Sequence, residues 1–354
     1  MGNLLQSTLT PRRVIDLSAN ENPLGPSPMA ISALQQALVG LHRYPSRDGS
    51  RLRQLLASEL KITTDYLLLG NGASELLDIT ARALLVPGEQ ALIPVPSFMP
   101  YRKVVIRSGA KAVTVPTNAG QLDLAAMLAA VCERTRLVLL GNPNNPTGST
   151  ITHAQLADFM AQLPPQVLVV VDEAYVEYVD HPDYPDSIQM LLEGAPLLIL
   201  RSFSKAYGLA GLRMGYAIGA PALIEQLNSF CQFYNTNSLA QAAAEAALQD
   251  RHHLQQTLTL NRLGLAYLQD SLQQLGLRVT PSQANFLLVE FEFDDADWVI
   301  QALAEQGILV KAMSRFGLPH CIRVSTGLDS DNRAFVEALT HIINSRPSGR
   351  ATTQ

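Results

Sequence analysis

Lys205 stands in the segment Arg201-Ser202-Phe203-Ser204-Lys205-Ala206-Tyr207-Gly208, directly behind the apolar run Pro196–Leu200. A lysine that leaves a buried strand on a serine- and glycine-rich loop is partly desolvated. Its pKa falls and its amine becomes available for imine formation. Ser202, Ser204 and Arg213 add donors suited to a phosphate. Asp172 and Tyr175 lie in Val171-Asp172-Glu173-Ala174-Tyr175, behind the run Val167–Val171. An Asp at that position either caps the next helix or pairs with a protonated ring nitrogen, and a nearby tyrosine reaches a phenolate oxygen. Asn145 sits in Gly141-Asn142-Pro143-Asn144-Asn145-Pro146-Thr147-Gly148, a turn made rigid by two prolines and two glycines. Gly70-Asn71-Gly72-Ala73-Ser74-Glu75 joins a strand to a helix, where free amides and the Ser74 hydroxyl suit a phosphate.

The elements that must position these groups are legible as alternating patterns. Tyr66–Leu69, Gln90–Val95, Leu137–Leu140, Val167–Val171 and Pro196–Leu200 read as strands, apolar on both faces as in strands buried between helices. Ser74–Leu85 and Thr152–Gln162 read as helices. The alternation predicts an α/β fold with a largely parallel sheet, and the candidate groups fall at strand ends, where open α/β sheets bind ligands. After Gly219 the pattern changes to helices over Ala220–Leu248 and His252–Leu275. Strands at Ala284–Glu292, Ile308–Lys311 and Cys321–Ser325 follow, with helices at Asp295–Gln306 and Ser330–Ser345 and a frayed tail at Arg346–Gln354. The expected organisation is an N-terminal arm over residues 1–29, a large domain over 30–250 and a small α+β domain over 251–354.

Composition bounds the function. The 354 residues are 47% hydrophobic and 16% charged, with a net charge of −5 and no block of like charges. A basic nucleic-acid footprint is not expected. Cys132, Cys231 and Cys321 lack ligand spacing, so neither a metal site nor a disulfide framework is expected. Met1–Arg13 does not read as a signal peptide, and no apolar run is long enough to span a bilayer. The expectation is a cytoplasmic protein that handles a small metabolite, with no membrane partner.

Taken together and in this order, the motifs resemble the fold-type I pyridoxal-phosphate aminotransferases of classes I and II, over nearly the whole chain. The resemblance implies pyridoxal 5'-phosphate as cofactor and Lys205 as its Schiff-base lysine. It implies Asp172 at the pyridine nitrogen, and Tyr175 and Asn145 at the ring oxygen. Gly72, Ala73, Ser74, Ser202, Ser204 and Arg213 would cradle the phosphate, and Phe98 would stack on the ring.

Within that superfamily the chain resembles the histidinol-phosphate aminotransferase family. The opening stretch Leu17–Pro26, with Asn22 as a substrate contact, is similar to that family's first motif. Arg43-Tyr44-Pro45 is similar to the segment whose tyrosine reaches the cofactor phosphate of the neighbouring subunit, which implies a homodimer. Cys321-Ile322-Arg323-Val324-Ser325 is similar to the substrate-anion site, with Arg323 as anchor. Asn235–Gln241 is a further family-like stretch. The implied reaction moves an amino group between a small-molecule donor and a 2-oxo acceptor.

Two positions depart from the pattern. Lys311 stands near where the family often has a second arginine, keeping the charge and losing the bidentate fork. Cys231-Gln232-Phe233-Tyr234 replaces the usual Arg-Gln-Pro and aromatic. Aminotransferases of aromatic or other amino acids, and decarboxylases of threonine phosphate, share most of these motifs and remain alternatives. A dehydrogenase reading of Gly70-x-Gly72 lacks the third glycine. A β-lactamase reading of Ser202-x-x-Lys205 lacks a Lys-Thr-Gly.

Overall fold

The computed structural model describes residues 14–293 and 295–345. The expectations for Met1–Arg13 and Arg346–Gln354 lie outside the described residues.

A seven-stranded sheet organises the first two thirds of the chain. A two-residue strand, β1 (Ile15–Asp16), precedes it, and its own strands are β2 (Leu67–Gly70), β3 (Gln90–Val95), β4 (Lys111–Pro116), β5 (Thr135–Gly141), β6 (Leu168–Asp172), β7 (Leu197–Ser202) and β8 (Gly215–Gly219). The spatial order is β2-β8-β7-β6-β5-β3-β4. Strands β4, β3, β5, β6 and β7 run parallel, and β8 alone is antiparallel to both its neighbours, β7 and β2.

Both faces are covered, which explains the near-continuous apolar runs. Val138 and Leu140 of β5 point into one apolar layer, with Leu52 and Leu56 of helix Ser50–Leu60 and Phe159 of helix His153–Ala161. Leu137 and Leu139 point into the other, with Leu76 and Leu77 of helix Ala73–Leu84 and Tyr101 and Val104 of helix Pro100–Arg107. Alternation along a pleated strand places neighbours on opposite faces, so β5 serves two cores at once.

The last third builds a four-stranded antiparallel sheet from β9 (Arg278–Thr280), β10 (Phe286–Glu290), β12 (Lys311–Ala312) and β13 (Cys321–Ser325) in the order β12-β13-β10-β9. The strand β11 (Ile308–Leu309) leaves that sheet and pairs in parallel with β1. A third apolar cluster joins Leu17, Leu287 and Val324 to Leu268 of helix Arg251–Gln274 and Phe335 of helix Asp329–Asn344.

Three features differ from the sequence expectation. The strands β1, β4, β8 and β9 go unread in the sequence; β8 is a five-residue run with glycine at each end. Ala220–Leu248 is two helices, Pro221–Asn228 and Ser238–Gln249. The break has a local cause: Tyr234 takes a left-handed φ of 58°, and the Asn237 side chain restarts the helix by accepting from the Ala240 N–H. The single strand expected over Ile308–Lys311 is divided between two sheets. Among the described residues, no helix is long and apolar enough to cross a membrane.

Candidate active site

The carboxyl ends of β5, β6 and β7 lie side by side, with Gly141 in register with Asp172 and Asp172 with Leu200. Over them opens a cavity of about 410 Å³ that extends to the small sheet. Ala73, Ser74, Phe98, Asn145, Asp172, Tyr175, Ser202, Ser204, Lys205, Arg213, Lys311 and Arg323 all line it. Four of these carry positive charge and one, Asp172, is acidic.

Lys205 follows β7 and is partly buried, with its Nζ donating to the Ala19 carbonyl at 3.2 Å. Burial, reinforced by the Arg323 charge, pushes its pKa down to about 8, against the opposing pull of Glu21. Its ammonium also lies 5.7 Å from the centre of the Tyr175 ring.

Asp172 ends β6. Its Oδ2 accepts from the Tyr101 hydroxyl at 3.0 Å, and its Oδ1 from the Ala174 N–H at 3.2 Å. Burial lifts the carboxyl to about 6, although both hydrogen bonds favour the ionised form. Tyr175 is buried edge-on against Phe286, and its hydroxyl accepts from Asn20 Nδ2 at 2.9 Å.

The Gly72 end of the cavity is built from backbone as much as from side chains. Gly72 caps helix Ala73–Leu84 without a side-chain acceptor, so no capping side chain occupies the helix start, an end of the helix dipole that suits an anion. Arg213, at a left-handed φ of 58°, donates to the Ala210 carbonyl at 2.9 Å and approaches Ser204 Oγ at 3.5 Å. A Cβ added at Gly72 would sit 2.6 Å from Arg213 Nη2, so the glycine admits the guanidinium. Ser202 Oγ accepts from the Ser204 N–H at 3.0 Å and holds the turn that projects Lys205.

Three expected residues stand apart from the cavity lining. Gly72 lies outside the lining, against the Arg213 guanidinium. Asn22, expected at the substrate, is placed in the framework instead: its Nδ2 donates to the Ala206 carbonyl and to Thr257 Oγ1, and its Oδ1 accepts from Leu24 N–H. Both ends of its amide are satisfied by the chain, so it braces the residue after Lys205. Tyr44 is 82% exposed and stacks on Tyr234 at 4.7 Å between ring centres, away from its own chain's cavity.

Two residues of the site escape sequence reading. Asn20 lines the cavity and links Tyr175 to Ser325 of β13, whose hydroxyl donates to Asn20 Oδ1 at 3.0 Å. Tyr101 lines it through its bond to Asp172. Their motifs, Ser-Ala-Asn-Glu-Asn and Pro-Ser-Phe-Met-Pro-Tyr, signal a turn and a helix start but not these partners.

Residues 12–339 match the family Aminotransferase class I and II, and the chain is an aminotransferase belonging to that family. Its architecture is the fold-type I one. Histidinol-phosphate aminotransferase from Sinorhizobium meliloti, solved in complex with pyridoxal-5'-phosphate, superimposes with a TM-score of 0.89 at 30% identity, covering 94% of this chain and 92% of that one. Within the class, the chain groups with the histidinol-phosphate aminotransferases. Histidinol-phosphate aminotransferase 2 of Pseudomonas fluorescens (strain Pf0-1) is 42% identical over 335 residues, 95% of this chain and 90% of that protein. The histidinol-phosphate aminotransferase of Moorella thermoacetica is 41% identical over 340 residues, 96% and 88% of the two chains.

Proposed function

We propose that this aminotransferase holds pyridoxal phosphate on Lys205 and moves an amino group reversibly between histidinol phosphate and 2-oxoglutarate. One observation carries the reading: a single cavity sets Lys205, Asp172 and Arg213 at the large sheet against Lys311 and Arg323 at the small one. The donor set fits the cofactor. An arginine admitted by a glycine, two serine hydroxyls and a helix start suit a phosphate, and a buried carboxylate suits a pyridinium. When bound, pyridoxal phosphate supplies an aldehyde that condenses with amines and a ring that draws electrons from the substrate Cα.

The chain's own groups do the rest. Asp172 would keep a proton on the ring nitrogen, and Tyr175 and Asn145 would orient the ring oxygen. Lys205, with its pKa near 8, is poised to release its amine and to carry a proton to and from the substrate Cα. Arg323, buried and set over the Phe286 ring, would take the substrate anion, whether a phosphate ester or the carboxylate of the second substrate. Lys311 adds a second charge, which favours a dianion.

The reading includes a homodimer. Tyr44 is exposed and stacks on Tyr234, and the apolar side chains Val39, Leu41 and Phe233 are exposed as well, which suits a second copy that would receive Tyr44 at its cofactor phosphate. Full activity from a monomer in dilute solution would refute this part.

The decisive experiment loads the protein with pyridoxal phosphate, records its absorbance, and adds histidinol phosphate, phenylalanine or threonine phosphate separately. Conversion to the amine form of the cofactor by histidinol phosphate alone supports the reading. Conversion only by phenylalanine moves the enzyme to aromatic substrates, and carbon dioxide release from threonine phosphate makes it a decarboxylase. A protein that shows no lysine-bound cofactor band overturns it altogether.

A further inference from the structure

We infer that Tyr101 is the positioning residue for Asp172, fixing one carboxylate oxygen and holding the acid in its ionised form. The inference rests on the proposed cofactor role of Asp172. Tyr101 belongs to helix Pro100–Arg107 and is 2% exposed, yet its hydroxyl reaches the end of β6 and donates to Asp172 Oδ2 at 3.0 Å. The approach passes over the end of β5, where residue 141 is a glycine. A Cβ there would stand 3.2 Å from the tyrosine hydroxyl. With Oδ1 occupied by the Ala174 N–H, each carboxylate oxygen has one protein donor, and the plane of the group is set before any ligand arrives.

The arrangement answers an electrostatic problem. Burial alone favours the neutral acid, and a neutral acid that donates its own proton holds a pyridinium poorly. The groups that face Asp172 are Tyr101 from the helix, Glu173 and Tyr175 from the segment after β6, Tyr184 from further along that segment, and Lys205 from the loop after β7. Glu173 opposes ionisation, whereas Lys205 and the Tyr101 hydrogen bond favour it. Burial and the Asp172 charge push the Tyr101 phenol well above its ordinary range, so it remains a donor at every working pH. The same ring meets Phe98 edge-on at 5.6 Å, which couples the expected stacking residue to the carboxylate through one side chain.

The test uses Tyr101→Phe, which keeps the ring and removes the hydroxyl, with Gly141→Ala as a second variant that keeps Tyr101 and crowds its hydroxyl together with the Asn144 backbone. Cofactor affinity is titrated by absorbance across pH in both, in Asp172→Asn, and in the Tyr101→Phe/Asp172→Asn double variant. Tyr101→Phe should weaken pyridoxal phosphate about tenfold near neutral pH, as loss of a hydrogen bond to a charged group does, and Gly141→Ala should weaken it in the same direction. The acid limb of the affinity profile should move up by about one pH unit. In the Asp172→Asn background, Tyr101→Phe should change little, because its partner charge is already gone. Unchanged affinity and an unmoved acid limb in Tyr101→Phe would overturn the inference alone, as would losses that simply add in the double variant. Wild-type cofactor binding and turnover in Asp172→Asn would sink the underlying assignment, and the inference with it.

Discussion

Arg323 donates from Nη1 to Asn145 Oδ1 at 2.6 Å, tying β13 of the small sheet to the turn after β5 across 178 positions of sequence. Nη2 donates to the Ser18 carbonyl at 2.7 Å, and Nε is buried without a partner among the described residues. The guanidinium is therefore oriented from two sides, and each Nη keeps a second N–H for an incoming anion. Replacement by lysine keeps the charge and loses the planar fork. Arg323→Lys should raise the KM of the anionic substrate roughly 30- to 100-fold, about 2–3 kcal/mol, while cofactor affinity, reached only through Asn145, falls much less. Steady-state kinetics beside a cofactor titration checks this; equal losses in both would remove the substrate role.

Lys205→Ala should abolish the lysine-bound cofactor absorbance and lower turnover by at least about a thousandfold, as removal of a covalent catalytic group does. The fold should survive, since the Nζ makes one hydrogen bond, to the Ala19 carbonyl. With its pKa near 8, the amine is protonated and unreactive at lower pH. Cofactor capture by the wild-type cofactor-free protein should therefore accelerate roughly tenfold per pH unit below that value and level off above it. A rate flat between pH 6 and 8 would contradict the depressed pKa.

Asp172 links function to stability. Its carboxyl is raised by burial from 3.8 to about 6, so the native state keeps a proton that the unfolded chain releases. The protonated form stabilises the fold at low pH, and that contribution disappears as pH rises through about 6. Asp172→Asn has no charge to desolvate. The cofactor-free variant should gain on the order of 2 kcal/mol at pH 8, with the gain vanishing near pH 4. Thermal unfolding at the two pH values is the check, and a variant less stable at pH 8 would show that burial is not the dominant influence. The same substitution should impair cofactor binding, so stability and function move in opposite directions.

Gly72→Ala should weaken the cofactor without unfolding the protein. Its φ of +80° disfavours a side chain, and the new methyl would meet Arg213 Nη2 at 2.6 Å. The flexible guanidinium yields more easily than the backbone, and would leave the position proposed for the phosphate. A drop of about tenfold in pyridoxal phosphate affinity is expected from one lost charge-assisted bond, with the Tm of the cofactor-free protein lowered by only a few degrees. Unaltered affinity would show that Arg213 does not hold the phosphate.

Lys205, Asp172, Tyr175 and Asn145 were readable in the sequence because each follows an uninterrupted apolar run, and such runs end at one edge of a parallel sheet. Arg323 and Lys311 needed the family pattern, since nothing local says that β12 and β13 face the large sheet. Tyr101 and Asn20 were out of reach for a physical reason: their partners lie 71, 155 and 305 positions away. Asn22 was read toward the substrate, yet its amide is engaged by the framework, and only geometry separates those two uses of an asparagine beside a site. The strand β8 escaped because a short run between glycines carries little periodic signal, although it separates β7 from β2 and places Arg213 near Gly72.

Lys205, Arg213, Lys311 and Arg323 share one small cavity with a single carboxylate. Before the cofactor arrives these charges repel one another, and any small oxyanion relieves that repulsion. Inorganic phosphate and sulfate in a purification buffer are thus competitors for the cofactor. Protein prepared in phosphate should take up pyridoxal phosphate more slowly than protein prepared in a bulky zwitterionic buffer at equal ionic strength. The choice of buffer becomes part of the definition of the resting enzyme.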